Sequence, residues 1–397
     1  MKILIVSHRV PYHLKDGGVI AMHALLQGLK AAGAQVKLLC LNPKKDGVDA
    51  ANLPQYFYDD FGFEYFDINT DIKATDAFLN LFTNKSYHMV RFYNDGFAQL
   101  LAKTLQADNY DVIHLESLFV TGYLPVMRQN FSGAIAMRAH NVEHKIWEKL
   151  ANNETNPIKK WYLGLLARRL KKYEIKTLGE LDAFISLTQE DADFFEQSGF
   201  RGKAHVSPHG IDLTKFENQG QTENNFKVFH LGSMDWIPNQ EAMRWFLDEV
   251  WTLVLQGVPQ AQFHLAGKKI PQWVHDRKDT NVHIEGEVPD AIEFMQGKNI
   301  MVVPLLSGSG IRIKILEGMA LGKAIVSTPL GATGINCTHE KNILIGATPA
   351  ELAAHIVILL NDNAKRSILG QNARQLIEDH YDNNVVCKKV VEFYQTL

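Results

Sequence analysis

A chain of 397 residues exceeds the roughly 250 to 300 that one hydrophobic core sustains, so two domains are expected. The 46% hydrophobic share supports full-sized cores, and a net charge of −3 argues against general nucleic-acid binding, which calls for a basic surface. Cys40, Cys337 and Cys387 are odd in number and far apart, which points away from a disulfide framework or a zinc site and fits a reducing cytoplasm.

The opening MKILIVSH is too short for a signal-peptide core and reads as a first strand, and no apolar run nears the roughly 20 residues of a membrane span. A cytoplasmic protein is expected. Short apolar runs then alternate with amphipathic segments, the pattern of parallel α/β layers. Strands are expected at 2–6, 35–40, 111–115, 134–138, 183–187 and 204–206, with helices at 19–32, 157–179 and 189–198. The polar and aromatic stretch 42–84 fits no single period.

Ser207-Pro208-His209-Gly210-Ile211-Asp212 breaks the pattern, and a polar run follows it. The boundary is drawn there: an amino-terminal domain over 1–207, completed by a helix in 381–397, a linker at 208–225, and a second domain over 226–380. The second series places strands at 228–231, 262–266, 282–284, 300–303, 324–327 and 343–345, with helices at 239–255, 290–296, 311–321 and 351–360. Two doubly wound domains facing across a cleft result, with ligands expected at the carboxyl ends of the strands.

The richest segment is PLLSGSGIRIKILEGMALGKAIVSTPLGATG, from Pro304 to Gly334. A buried strand leads into Ser307-Gly308-Ser309-Gly310, whose backbone N–H groups can cradle phosphate or hydroxyl oxygens. The helix expected from Ile311 turns its positive end to the same spot. Arg312 and Lys314 suit a diphosphate, and Glu317 suits a ribose diol. The same segment also reads as a packing turn with a solvated Lys314–Glu317 pair.

Other motifs carry less. Gly17-Gly18 opens a helix without a G-x-G-x-x-G fingerprint and offers N–H groups to an anion, or merely a helix entry. His140 and Glu143 follow a strand, where they would meet a ligand, or else satisfy one another or cap the next helix. Asp191-Ala192-Asp193 has DxD spacing but reads as the acidic first turn of a capped helix. Pro157–Lys176 holds seven basic residues against one acid, with Ile158, Trp161, Tyr162, Leu165, Leu166 and Tyr173 at helical spacing. That helix would lie on anionic lipid, or pack on the core with a solvated basic face.

Taken in order, the Gly17-Gly18 loop, the AHN segment at His140, SPHGID, the Gly232 turn, Gly286-Glu287-Val288 and the Glu317 helix with GATG behind it resemble family 4 glycosyltransferases of the GT-B fold. The resemblance spans almost the whole chain. It implies a retaining, metal-independent enzyme that takes a nucleotide-diphosphate-sugar, needs no cofactor and has no metal site. Gly17 and Gly18 would approach the donor, and His140 would hydrogen-bond its sugar. Gly286, Glu287 and Val288 would meet the base, Glu317 the ribose, and Gly232, Ser233, Gly310 and Ile311 would line the donor pocket.

Two departures stand out. Ser309 occupies the place of the first Glu in the family's Glu-x7-Glu motif, so its hydroxyl would face the donor sugar. Ser233 stands where an arginine is usual, with no lysine nearby. Arg312 and Lys314 would replace those cations, as in a branch that pairs G-S-M-D-W-x-P-N with G-x-R-x-K-x-x-E. The expected activity is hexosyl transfer in surface-glycan assembly, with a glycan or lipid-linked acceptor and peripheral contact with the inner membrane face. The alternative is a noncatalytic nucleotide-sugar-binding subunit.

Overall fold

A computed structural model describes residues 1–13, 17–45, 47–49, 52–217, 226–308 and 310–397. The chain divides into two compact units, Met1–Gly210 with Asn383–Leu397, and Ile211–Asp382.

The first unit is built on seven parallel strands in the order β3-β2-β1-β4-β5-β6-β7. They are β1 (Lys2–Ser7), β2 (Gln35–Pro43), β3 (Glu64–Ile68), β4 (Val112–Glu116), β5 (Ala134–Ala139), β6 (Ala183–Ser186) and β7 (Lys203–Val206). Alternation along each strand sorts side chains to two faces. Leu4 and Val6 join Ile113, Leu115, Phe97 and Phe195 in one core. Ile3 and Ile5 join Leu25, Leu29, Val390 and Tyr394 in the other. That second face carries helix α1 (Gly17–Ala31) and the C-terminal helix Asn383–Tyr394. At their contact a Cβ on Gly28 would stand 2.3 Å from Cys387 Sγ, so only glycine lets the two helices approach. On the other side of the chain order lie α2 (Glu143–Asn153), α3 (Pro157–Leu178) and α4 (Gln189–Gln197).

The second unit repeats the architecture with six parallel strands in the order β10-β9-β8-β11-β12-β13. These are β8 (Lys227–Leu231), β9 (Gln262–Ala266), β10 (Val282–Gly286), β11 (Ile300–Val303), β12 (Ala324–Ser327) and β13 (Leu344–Ile345). Strands β11 and β12 are buried along their whole length, as expected where helices cover both faces.

The expected α/β class and doubly wound sheets are present. Three local readings are corrected. Strand β3 lies inside the stretch that fitted no period, because it is an edge strand whose outward Tyr65 and Asp67 break the apolar run. The single helix expected over 239–255 is α5 (Ile237–Trp245), a widened turn at Phe246–Val250 and a further helix Trp251–Gly257. The helix expected from Ile311 is α6 (Ile313–Ala320), and Arg312 is its N-cap with φ −88° and ψ 84°.

Candidate functional site

In the second unit the chain leaves β8 toward β9 on one side, while β11 leads to β12 on the other. Such a reversal opens a crevice at the carboxyl ends of the two strands. Lys314, on the first turn of α6, reaches into this place. Its Nζ lies 3.1 Å from Asn239 Oδ1 and 3.3 Å from His230 Nε2. His230 is fully buried and donates Nδ1–H to the Val302 carbonyl at 2.8 Å, so Nε2 is left as an acceptor for the lysine. Asn239 donates to the Ser233 carbonyl at 2.7 Å, which turns its amide oxygen toward Lys314.

No carboxylate stands within ion-pair distance of Lys314 among the described residues. Burial pushes its pKa down to about 7, the nearby Arg312 charge adds to this, and Glu317 opposes it. An ammonium has three donors, and two are engaged here. The third has no partner among the described residues.

Glycines hold the surrounding loops close. A Cβ on Gly232 would stand 2.8 Å from both Lys314 Nζ and Asn239 Nδ2. A Cβ on Gly267 would stand 1.8 Å from the Gly232 carbonyl oxygen, and Gly267 donates its N–H to Gly286 at 2.8 Å. Arg312 is 5% exposed, donates to the Gly310 carbonyl and places its guanidinium 5.4 Å from the centre of the Trp236 ring. Gly308, at φ +117°, lies against the same ring, where a Cβ would stand 2.8 Å from it and 3.2 Å from the Arg312 guanidinium. Burial lowers the arginine's pKa from its ordinary value.

The other expected residues fall around this centre. Ser233 turns its hydroxyl to Asp235 at 2.6 Å. Gly310, at φ +80°, and half-buried Ile311 complete the loop before Arg312. Glu317 is half-buried one turn beyond Lys314, its pKa raised by burial, and its carboxylate makes no hydrogen bond among the described residues. Gly286 ends β10 at φ +74°, Val288 packs on the core, and exposed Glu287 pairs with Lys268 at 3.5 Å. Ser309 lies outside the described residues. His230 had no part in the sequence reading, and Trp236 and Asn239 entered it only as members of the G-S-M-D-W-x-P-N motif, with no role assigned. The cue was there: Trp236 and Asn239 flank the proline of the SMDWIPN segment.

In the first unit the corresponding reversal lies between β1 and β4. Glu116 ends β4 there, 1% exposed. It accepts from Arg138 at 3.1 Å, from His114 Nε2 at 2.5 Å and from His140 Nε2. Burial acts to raise its pKa, but the Arg138 charge and the two histidine hydrogen bonds outweigh that and hold the carboxyl well below the usual range. Ser117, immediately after it, has φ +91° and ψ 163°, a region close to glycine's alone, at a cost of about 1–3 kcal/mol.

His140 therefore bonds Glu116 rather than Glu143. Glu143 and His144 donate their backbone N–H groups to Glu174 of α3, at 3.0 and 3.2 Å, so a buried carboxylate from another helix caps α2. Burial, with the Glu174 charge adding, raises Glu143 to about 7. Buried Arg138 Nε, Ser207 Oγ and His209 Nδ1 have no hydrogen-bond partner among the described residues. Burial first, then the charges of Arg138 and His140, take His209 down to about 3. Gly17 and Gly18 open α1, next to residues outside the description.

The DxD-spaced pair is a helix start. Thr188 accepts from the Asp191 N–H at 3.1 Å, and Asp193 accepts from Gln189 at 2.7 Å. Among the described residues no group of three or more His, Cys, Asp or Glu is placed to hold a metal ion, and no helix is long and apolar enough to cross a membrane. Helix α3 buries Leu163, Leu166 and Leu170 and exposes Ile158 and Trp161 in its first turns.

Comparison with known proteins gives matches over both units. The family described as "Glycosyltransferase Family 4" matches residues 15–215, and "Glycosyl transferases group 1" matches 225–362. An "Uncharacterized 44.6 kDa protein in cps region" of Klebsiella pneumoniae is 22% identical over 98% of each chain. A "Phosphatidyl-myo-inositol mannosyltransferase" of Mycolicibacterium smegmatis is 22% identical over 74% of this chain and 73% of its own. Among solved structures, Anabaena Alr3699/HepE in complex with UDP covers all of both chains with TM-score 0.67 and 14% identity. Sucrose-phosphate synthase from Thermosynechococcus elongatus covers 100% of this chain and 98% of its own with TM-score 0.63 and 17% identity. Both likenesses are of fold.

Proposed function

The chain belongs to the GT-B glycosyltransferases, Glycosyltransferase Family 4 by the family that matches its first half, and from that premise we propose that it transfers a hexose from a nucleotide-diphosphate-sugar to a glycan or lipid-linked acceptor with retention, in assembly of a surface glycan. The observation that carries this reading is Lys314, a half-buried ammonium with two neutral partners and, among the described residues, no carboxylate at ion-pair distance and one donor to spare. A site built this way lacks an anion. A diphosphate supplies one, and Arg312 beside it gives the second cation.

Cleaving the bond between sugar and diphosphate leaves negative charge on the phosphate. Fixed cations and loop N–H groups stabilise that charge without rearranging as it forms. Glycosidases use two placed carboxylates; here the leaving phosphate itself accepts the acceptor's proton, on the face where the new bond forms. Glu317 binds the ribose, the Gly286–Val288 turn meets the base, and neither a metal nor a cofactor is needed. The relative from a cps region supports the glycan pathway. The UDP and UDP-glucose bound to HepE support a nucleotide-sugar donor and place uridine donors first in any screen.

Thermal-shift titration with UDP-, GDP-, ADP- and dTDP-sugars, followed by turnover of the donor that binds, tests the proposal. Stabilisation by one base class, lost in Lys314→Ala, is expected. Stabilisation unchanged in that variant would remove the diphosphate from this site, and binding without any donor turnover would leave a noncatalytic subunit.

A further inference from the structure

His140 has two ring nitrogens, and the structure engages one of them. Nε2 is held by Glu116, while Nδ1 makes no hydrogen bond among the described residues. Glu116 cannot turn away, because its carboxylate is fixed by Arg138 at 3.1 Å and by His114 Nε2 at 2.5 Å. His114 is fixed in turn: its Nδ1 meets the Tyr394 hydroxyl, brought across by the C-terminal helix. His8 closes the other side, with Nδ1 at 3.2 Å from the Glu116 carbonyl.

The directions of these bonds agree with one another. The Tyr394 O–H donates to His114 Nδ1, His114 donates Nε2–H to Glu116, and Glu116 accepts from Arg138 and His140. A carboxylate at Nε2 can only accept, so in the neutral ring the proton sits on Nε2 and Nδ1 is left as a bare acceptor.

Resting on the glycosyl-transfer reading for its catalytic part, we propose that Glu116 is a positioning residue, backed by His114 and Tyr394, which fixes the tautomer of His140 so that Nδ1 accepts a hydrogen bond from a sugar hydroxyl at the reaction centre. The arrangement sets a specificity as well. A hydroxyl can donate to Nδ1, whereas a deoxy or O-methyl sugar at that position cannot.

Two readouts test this on the full-length protein. Long-range 15N–1H spectra of 15N-histidine-labelled enzyme, with His140 assigned by the signal that His140→Ala removes, are expected to show the Nε2–H tautomer in the wild type and a mixture of tautomers in Glu116→Asp. That measurement does not depend on any activity. An Nδ1–H tautomer in the wild type, or an unchanged ring in Glu116→Asp, overturns the positioning role.

The second readout is a double-mutant cycle on the turnover of whichever nucleotide-sugar stabilises the wild type. Glu116→Asp keeps the charge for Arg138 but withdraws from His140, so kcat is expected to fall about tenfold with donor KM within threefold. In the His140→Ala background the same change is expected to alter kcat less than twofold. Effects that multiply would show a structural role and sink the proposal. Tyr394→Phe, which removes one hydroxyl and leaves Glu116 in place, is the arm that remains if Glu116→Asp folds poorly. Its loss of about threefold should also vanish without His140, and a loss that persists there counts against the chain. If no nucleotide-sugar is turned over by the wild type, the proposed function fails, while the spectra still decide the tautomer.

Discussion

The ammonium of Lys314 sits 3.3 Å from His230 Nε2, a nitrogen that carries no proton because the ring donates through Nδ1 to Val302. Buried His230 and half-buried Lys314 share one place, and their protonation is coupled to whatever anion arrives. Burial and then the Lys314 charge keep His230 well below its ordinary pKa, so the imidazole stays neutral and the lysine takes the proton.

A pH dependence of donor binding follows. Burial takes Lys314 down to about 7 from the ordinary 10.5. A bound diphosphate favours the charged form, so donor affinity is expected to be flat below pH 7 and to weaken by up to about tenfold per pH unit above it. Titration calorimetry at pH 8 in buffers of different ionisation heat should show uptake of about one proton per donor bound. A nucleotide-sugar is the right probe, because a free nucleoside diphosphate has a terminal phosphate that titrates near pH 6 on its own. Arg312, Glu317 and His230 also face the lysine, so Lys314→Met is the control that must abolish the uptake.

The same lysine sets stability against activity. Its folded-state pKa lies below the unfolded one, so the charged form is penalised on folding. That penalty is complete below about pH 7 and disappears as pH rises toward 10.5. Stability of the ligand-free protein should therefore climb with pH through that window. Lys314→Met removes the penalty and is expected to raise the thermal midpoint by several degrees at pH 6, while lowering turnover by roughly a hundredfold or more. A lower midpoint together with unchanged turnover would contradict both halves of this argument.

Most of the fold was legible because its strands are buried on both faces. Ile300–Val303 and Ala324–Ser327 are continuous apolar runs and were placed to the residue. Edge strand β3 was not legible, since its outward face is polar. The site was half legible. Lys314 and Arg312 stand out as charges in an apolar helix start, but their partners do not: His230 reads as one more strand residue, and Asn239 and Trp236 as parts of a helix entry. Glu116 was equally hidden. A carboxylate at a strand end signals a site only once the sheet order puts that end at a reversal beside β5.

Gly232→Ala isolates the geometry from the charge. The added Cβ would stand 2.8 Å from Lys314 Nζ and 3.1 Å from His230 Nε2, so the ammonium must give way while the backbone φ tolerates the change. Donor affinity is expected to fall at least tenfold with a thermal midpoint lowered by no more than a few degrees. Gly267→Ala is the contrast, since its Cβ meets backbone at 1.8 Å and should destabilise the whole unit. Equal donor affinity in Gly232→Ala and wild type would mean that Lys314 does not hold the ligand.

Trp236 supports Arg312 from below, at 5.4 Å from guanidinium carbon to ring centre. A cation–π contact of this kind contributes about 0.5–2 kcal/mol, and only an aromatic ring can provide it. Trp236→Phe should retain most donor affinity, whereas Trp236→Leu should lose about threefold to thirtyfold, measured by the same thermal shift. In Arg312→Ala the two replacements should become equivalent. If they remain different there, the ring acts on the ligand or on the Gly308 turn instead of through the arginine.

The first turns of α3 give the last prediction. Ile158 is 78% exposed and Trp161 57%, beside Lys159 and Lys160, while Leu163, Leu166 and Leu170 on the same helix are buried. Helix Ala74–Leu81 is tied to α3 by Arg169, which donates to the Asn80 carbonyl at 2.8 Å and the Leu81 carbonyl at 3.0 Å, and it exposes Phe78 and Leu79. Apolar side chains flanked by lysines suit the headgroup region of an anionic bilayer, where each lysine near the surface adds about 1 kcal/mol. Flotation with phosphatidylserine vesicles is expected to carry the protein up, less so at high salt. Ile158→Ser with Trp161→Ser should reduce this at least tenfold without lowering the thermal midpoint, because neither side chain is in the core. Exchanging the lysines alone should shift the salt dependence, and a wild type that stays at the bottom of the gradient would show that this face meets no membrane.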